Sequence, residues 1–344
     1  MSLRVVELSP EREPLWDEFV NRCPGALPQH LLGWREVMRR TYGYRTNYLM
    51  VEGPDGIAGL MPLIEVPSLL EGHHLTTMPG GICASSEEAG QALIRRAGEI
   101  VEETKAQYLI LRDTRRIWTG DLQAVGDNCS VLVDVSNGSQ AVWRGLRSSV
   151  RTNIRQAERA GVELREGLDQ LDDFYNMFSQ FCRDRGTPIF SRQWLREVVG
   201  VFGPQTYLLG AWHGSEMVGG YFGFKQGSLL TGMWGAALPR FHHLRPNDAI
   251  YWRVIQYADE QGLSHVDLGR SRLESGQHRF KLKWLGYTVP VYHQFHVRAG
   301  AKLPFPTEPG GQPVARRLMQ VWSRLPLGLA QRVGPLVRKQ VPFG

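Results

Sequence analysis

The chain has 344 residues, of which 42% are hydrophobic, 22% charged and 10% aromatic; it is long enough for two domains with separate cores, and a disordered or collagen-like chain is excluded. No uninterrupted apolar run is long enough to span a bilayer, and Cys23, Cys83, Cys129 and Cys182 form no C-x-x-C pair, so buried thiols are expected rather than a zinc knot or a disulfide framework. The formal charge of +6 belongs to the tail: Arg316, Arg317, Arg324, Arg332, Arg338 and Lys339 face no acid between Pro309 and Gly344, so an anion meeting the main body must meet a local patch.

With Glu7, Glu11 and Glu13 and no apolar h-region between Met1 and Pro14, the start does not read as a signal peptide. The expected location is cytoplasmic, either free or peripheral at the inner face of the membrane. Helical patterns over 11–22 and 32–41 precede a strand–turn–strand from Tyr48 to Met61. A long helix over 87–104 and a short strand, Tyr108 to Arg112, follow. Asn137-Gly138-Ser139 reads as the crossover to a second domain. There the same order returns: helices over 140–160, 169–184 and 191–200, a hairpin from Tyr207 to Tyr221, a helix over 247–261 with Ala249, Ile250, Val254, Ile255 and Ala258 on one face, and a strand from Val266 to Arg270. Tyr48 matches Tyr207, Gly59 matches Gly219 and Arg112 matches Arg270, at offsets of 158 to 160 residues. The expectation is an α/β (α+β mixed) protein of two duplicated domains, 1–138 and 139–299. Residues 300–344 then form a Pro/Gly linker and a basic tail that packs back on the first domain or on a membrane surface.

Arg144, Arg147, Arg151, Arg155 and Arg159 fall on one face of the expected 140–160 helix, with Glu158 the one acid among them. Two readings of this row stand open: a solvated face whose stems cover the core, or a phosphate-binding face. The densest chemistry lies in Asp267-Leu268-Gly269-Arg270-Ser271-Arg272, then Ser275-Gly276, then Arg279 to Gly286. Read as a strand, Arg279, Lys281 and Lys283 share one face and Phe280 and Leu282 the other. A lysine held in a cleft there stabilises an oxyanion, and an aromatic beside it stacks on a base; an edge strand protected by lysines is the competing reading. Trp234, Tyr251, Trp252 and Trp284 crowd the Asn247-Asp248 pair, as core or as a ligand platform, with Asp248 expected as a helix N-cap. His73-His74 and His242-His243 point adjacent side chains apart, so no metal site is expected. No H-E-x-x-H, G-x-S-x-G, P-loop or G-x-G-x-x-G occurs, and Gly80-Gly81 reads as a tight turn able to approach a ligand.

Together the Asp267-Leu268-Gly269-Arg270-Ser271 stretch, Ser275-Gly276, Phe280-Lys281 and Trp284-Leu285-Gly286, preceded by Asn247-Asp248 and Tyr251-Trp252, resemble the FemAB family of peptidyltransferases. The resemblance extends through Gly33-Trp34, Gly43-Tyr44, Pro79-Gly80-Gly81, Ala157 to Val162, Gly186 to Phe190, Leu325-Pro326-Leu327 and Gly334-Pro335-Leu336, and is closest to the subgroup associated with exopolysaccharide and protein-sorting (PEP-CTERM) systems. It implies tandem GNAT-like acyltransferase domains that move an aminoacyl group from aminoacyl-tRNA to an amino group of a peptidoglycan or other cell-envelope precursor, nucleotide- or lipid-linked. It also implies that Lys281 stabilises the tetrahedral intermediate and Phe280 lies by the aminoacyl-tRNA terminus. Arg270, Arg279, Arg147, Arg151 and Arg155 are candidate phosphate contacts, and Trp284, Tyr251 and Asn247 candidate substrate contacts. No cofactor beyond the donor co-substrate is implied. Two departures stand out: where the family's precursor-binding lysine falls after Trp34, this chain has Met38 and then Arg39-Arg40, and the 140–160 helix is shorter than the family's tRNA arm. Two other readings remain open. One is an acyl-CoA-dependent GNAT-type N-acyltransferase of exopolysaccharide biosynthesis, for which the R/Q-x-x-G-x-G/A loop is not found; the other is a catalytically silent RNA- or membrane-binding module.

Overall fold

The computed structural model describes residues 3–301, 303 and 313–342. They form two compact units, one of residues 1–127, 290–316 and 335–344 and the other of residues 128–289 and 317–334. Both are α/β, as the periodicities predict. The chain passes between them after Asp127 and after Val289, inside strands, and not at the Asn137–Ser139 turn or after position 299; the tail, expected as one piece, is divided at Arg316 and at Gly334.

The first unit begins with β1 (Arg4–Glu7), α1 (Glu13–Arg22) and α2 (Gly33–Tyr42), then β2 (Arg45–Gly53), β3 (Gly56–Ser68), β4 (Gly72–Thr77) and the short β5 (Cys83–Ala84), then α3 (Glu87–Thr104) and β6 (Tyr108–Thr114). Its sheet runs β1-β2-β3-β4-β6, antiparallel except for the parallel β4–β6 pair, with β5 on β3. The α3 sequence states its own start: the Ser86 hydroxyl accepts from the Ala89 N–H at 3.2 Å, and Glu87 and Glu88 lie at the positive end of the helix dipole. Its buried stripe, Ala89, Leu93, Ala97, Ile100 and Val101, packs on Leu49, Met61, Leu75 and Leu109 of the sheet.

Strand β7 (Gln123–Asp134) leads into α4 (Ser139–Gly145), α5 (Ser148–Arg159), β8 (Val162–Glu166), α6 (Leu171–Asp184) and α7 (Arg192–Phe202). There follow β9 (Thr206–His213), β10 (Glu216–Gln226), β11 (Leu229–Ala237), α8 (Pro246–Glu260), β12 (His265–Arg272), α9 (Gly276–Leu282), β13 (Tyr287–Val297), α10 (Pro313–Trp322) and α11 (Leu327–Arg338). The second unit's sheet runs β8-β9-β10-β11-β12 and ends on residues 128–134 of β7, antiparallel except for β11–β12. Residues 292–297 of β13 close the first unit's sheet against β6. The duplication therefore holds strand for strand: β1-β2-β3-β4-β6 corresponds to β8-β9-β10-β11-β12. The last strand of each sheet is supplied by the other half of the sequence.

Three local expectations are corrected. The 140–160 helix is two helices, broken where Leu146 and Arg147 turn extended (ψ 142 and 146), so the five arginines do not form one row. The basic segment around Lys281 is the helix α9, nucleated by the Ser275 hydroxyl, which accepts from the His278 N–H at 3.2 Å, and followed by Leu285 in the left-handed region. Asp248 is not the N-cap of α8: Arg245 takes that position in a left-handed conformation with Pro246 next, and Asp248 is buried in the first turn.

Candidate functional site

In the second unit β11 and β12 pair in parallel at Leu229–His265, Leu230–Val266 and Thr231–Asp267, and there the pairing stops. Beyond it β11 continues on β10 to Ala237, and β12 continues on β7 from Arg270 to Arg272 after a bulge. The sheet thus opens between two strands whose polar backbone edges no longer serve each other. Asp267 fixes the bulge: its Oδ1 accepts from the Gly269 N–H at 2.8 Å and from the Ser130 hydroxyl. Gly269 sits at φ +80, and a Cβ there would lie 3.0 Å from the Gly232 carbonyl oxygen across the opening.

Into this place α9 directs Lys281. The side chain is 2% exposed, and its Nζ donates to the Gly269 carbonyl at 2.7 Å and to the Arg270 carbonyl at 3.1 Å. Burial pushes its pKa down to about 8, with Arg270 adding to the fall and Asp267 and Cys129 opposing it. An ammonium has three N–H groups, so two carbonyls leave one to offer a reacting atom. The strands of the opening and the end of α9 also carry buried polar atoms with no hydrogen-bond partner in the protein: the Tyr221 hydroxyl on β10, Thr231 Oγ1 on β11, Ser271 Oγ on β12 and the Trp284 indole nitrogen. The Tyr221 ring lies across Gly223 and Gly232; burial and the Asp267 charge hold its phenol well above the ordinary tyrosine range. A buried cation at a split strand pair can bind an acyl group and stabilise negative charge on its oxygen.

The expected residues distribute unevenly. Phe280 is half-buried, 5.6 Å from the Tyr251 ring, and Tyr251 meets Trp284 edge-on at 5.8 Å. Trp284 is fully buried and packs in the core behind Lys281, so it is not a stacking surface. Arg270 is exposed and its own carbonyl is one of the two that Lys281 holds, Arg279 is exposed and donates to the Glu274 carbonyl, and Asn247 is half-buried in the first turn of α8. Neighbouring Asp248 is buried and accepts from the Asn153 amide at 3.3 Å. Arg151 donates to the Trp143 carbonyl at 3.3 Å and to the Leu146 carbonyl, closing the α4–α5 break. Arg147 is the exposed N-cap of α5, and Arg155 is exposed over the Trp143 ring at 5.7 Å. Trp234 joins Phe190, Trp194 and Phe222 in a separate aromatic group. Asp267, Ser130 and Tyr221 were missed as site residues: Asp267 stood inside the Asp267–Ser271 stretch, whereas Ser130 and Tyr221 reach the site from other strands.

The first unit does not repeat this site. Past the parallel β4–β6 pairs, Arg112 bonds Thr76 and Thr77, and the Gly80 N–H donates to the Arg112 carbonyl at 2.9 Å. Gly80 (φ +104) and Gly81 (φ +73) are packed against His30 and Thr114, so this turn meets the protein's own side chains. Among the described residues no group of three or more His, Cys, Asp or Glu side chains could hold a metal ion.

Residues 144–282, which span α9 and the open strand pair, match the family model described as acetyltransferase (GNAT) domain. Among solved structures, the crystal structure of FemX is similar over 86% of this chain and 97% of its own, with 14% identity and a TM-score of 0.68. L-PGS from Bacillus licheniformis is similar over 93% and 98%, with 13% identity and a TM-score of 0.55. A tandem GNAT protein from the clavulanic acid biosynthesis pathway is similar over 89% and 100%, with 11% identity and a TM-score of 0.56. The fold is the tandem GNAT-type acyltransferase fold. No curated protein matches this chain in sequence.

Gly269 gives this geometry a direct test. Gly269→Ala places a Cβ in the left-handed region against the Gly232 backbone, at a cost of about 1–3 kcal/mol, and shifts a carbonyl that Lys281 holds. Thermal unfolding should show a Tm lowered by several degrees; an unchanged Tm would mean that the opening is not held as described.

Proposed function

We propose that this chain is an acyltransferase that moves an aminoacyl group from aminoacyl-tRNA to an amino group of a cell-envelope precursor, with the reaction at the β11–β12 opening of the second unit. The observation that carries this reading is the buried Lys281 ammonium, held by two backbone carbonyls with one N–H to spare. The precursor amine attacks the ester carbonyl, a C–N bond forms, and the carbonyl oxygen takes negative charge beside Lys281. The intermediate collapses with loss of the tRNA hydroxyl oxygen, which takes the proton released by the amine. An ester is already activated, so positioning and charge stabilisation suffice without a protein nucleophile. In this reading Phe280 stacks on the terminal base and Arg270 and Arg279 meet phosphates, which their half-buried and exposed positions support.

A second reading has its own support: the family model over 144–282 is an acetyltransferase model, and strands that part at Thr231–Asp267 offer backbone edges to the amide-bearing arm of an acyl-CoA. Incubating the protein with charged tRNA or with an acyl-CoA mixture, and with nucleotide-linked and lipid-linked precursors, separates the two by mass spectrometry. A tRNA-dependent gain of one amino acid residue supports the aminoacyl reading. A gain with acyl-CoA alone replaces it with the second, and no gain with either donor defeats both.

A further inference from the structure

We propose that the protein docks peripherally on an anionic lipid bilayer through the outer face of α11 and the neighbouring β3–β4 hairpin tip. This goes beyond the transfer reading and does not rest on it. At the tip Leu69 is 91% and Leu70 61% exposed, two adjacent leucines left in water. The tip is tied to the chain just past α11: the Leu69 N–H donates to the Gln340 side-chain oxygen at 2.6 Å, and the Tyr44 hydroxyl bonds the Lys339 carbonyl. The hairpin therefore presents its leucines beside the helix end and does not swing free.

Helix α11 has two distinct sides. Ala330 and Gly334 are buried, and Gly334 lies against the Ile189 backbone with no room for a Cβ. Leu329, Arg332 and Leu336, at spacings of three and four, occupy the opposite side, where Leu336 is 68% exposed. The protein side also takes the half-buried Leu327, Val333 and Val337, so Leu329 and Leu336 are apolar residues in excess of those the helix needs to cover its own domain.

Charge selects the occupant. From Pro309 to the end of the sequence there are six basic residues and no acid, so the leucines of α11 have only cations among their chain neighbours, and at the hairpin tip the adjoining acid, Glu71, is buried. Exposed leucines beside an acid-free basic tail match the headgroup–acyl boundary of an anionic bilayer: leucines enter the boundary and Arg332 and Lys339 meet the phosphates. Among the described residues no helix is long and apolar enough to cross a membrane, so the contact is shallow.

The test is co-sedimentation of the full chain with vesicles of phosphatidylcholine containing about 30% phosphatidylglycerol and with phosphatidylcholine alone. Binding is expected on the anionic vesicles, weakened by salt, and at least tenfold weaker on the neutral ones. Leu69→Asp with Leu70→Asp should lower it by more than about tenfold through loss of apolar burial, and Arg332→Glu with Lys339→Glu by a similar factor through charge. These side chains are exposed, and circular dichroism checks that each variant folds. Equal binding to both vesicle types, binding that the leucine pair does not change, or sedimentation velocity showing that the same leucines hold two copies together would overturn the proposal. Transfer to a soluble acceptor, measured without vesicles, should be the same in the Leu69–Leu70 variant, so failure of docking and failure of the transfer reading are told apart.

Discussion

Lys281→Met is expected to lower the transfer rate by about 10²–10³-fold while the protein stays folded, the loss typical of removing one preorganised donor from a developing oxyanion. The fold should survive because the substitution is close in volume and removes a buried charge; the Gly269 and Arg270 carbonyls lose a donor, which costs about 1–3 kcal/mol and is offset by the desolvation no longer incurred. A second signature lies in pH. Burial lowers the folded-state pKa of Lys281 to about 8, below its value of roughly 10.4 in an unfolded chain. The cation is therefore present at neutral pH, and the rate should fall as pH rises through 8. Lys281→Arg, if active, should lack this limb because a guanidinium stays charged. Stability runs the opposite way. A base whose pKa is depressed by folding opposes the folded state while protonated, so the wild type should gain stability relative to Lys281→Met between about pH 8 and pH 10.4. Full activity in a folded Lys281→Met protein, or no Lys281-dependent limb above pH 8, removes the lysine from the mechanism.

Trp284→Ala is expected to cost about 3–5 kcal/mol, the range for a large buried aromatic truncated to a methyl. Trp284 is fully buried within the core that holds Val131, Ile250, Val254 and Leu268, and it meets Tyr251 edge-on at 5.8 Å. It also ends the short helix that carries Lys281, since the Trp284 N–H donates to the Lys281 carbonyl at 3.1 Å. Chemical denaturation should show the loss as a lower midpoint. Trp284→Phe, which keeps most of the ring and removes an indole N–H that has no protein partner, should cost much less. If Trp284→Ala unfolds at the wild-type midpoint, the core is not organised around it. Reduced transfer in Trp284→Phe at unchanged stability would show that the ring sets the angle of α9.

Helices α3, α6 and α8 were legible because each needs only its own stripe of apolar residues, and Ser86 before α3 states the start outright. The duplication was legible for the same reason, since both hairpins and both arginine-bearing strands carry local patterns. Where a local pattern favoured two outcomes, the reading went astray. Arg279 to Lys283 alternates like a strand, yet Ser275 caps a helix there because the next contact, Gly286 on the Val131 strand, requires the chain to turn. The arginines from 144 to 159 have helical spacing, but Leu146 is buried and bends the chain, and one nitrogen of Arg151 is taken up by the carbonyls at the break.

By itself the sequence determined the α/β class, the order of elements and the repeat, because those follow from periodicity, turn chemistry and residue type over short spans, while Lys281 stood out through the family resemblance. Only the tertiary structure decided that β7 and β13 each finish the other half's sheet, since strand pairing between distant residues has no local signature. It also decided that Lys281 is buried on two carbonyls while Arg279 and Lys283, two positions away, stay in water. A lysine's charge and pKa depend on what surrounds it, and here Asp267, Gly269 and Cys129 come from two strands far apart in sequence.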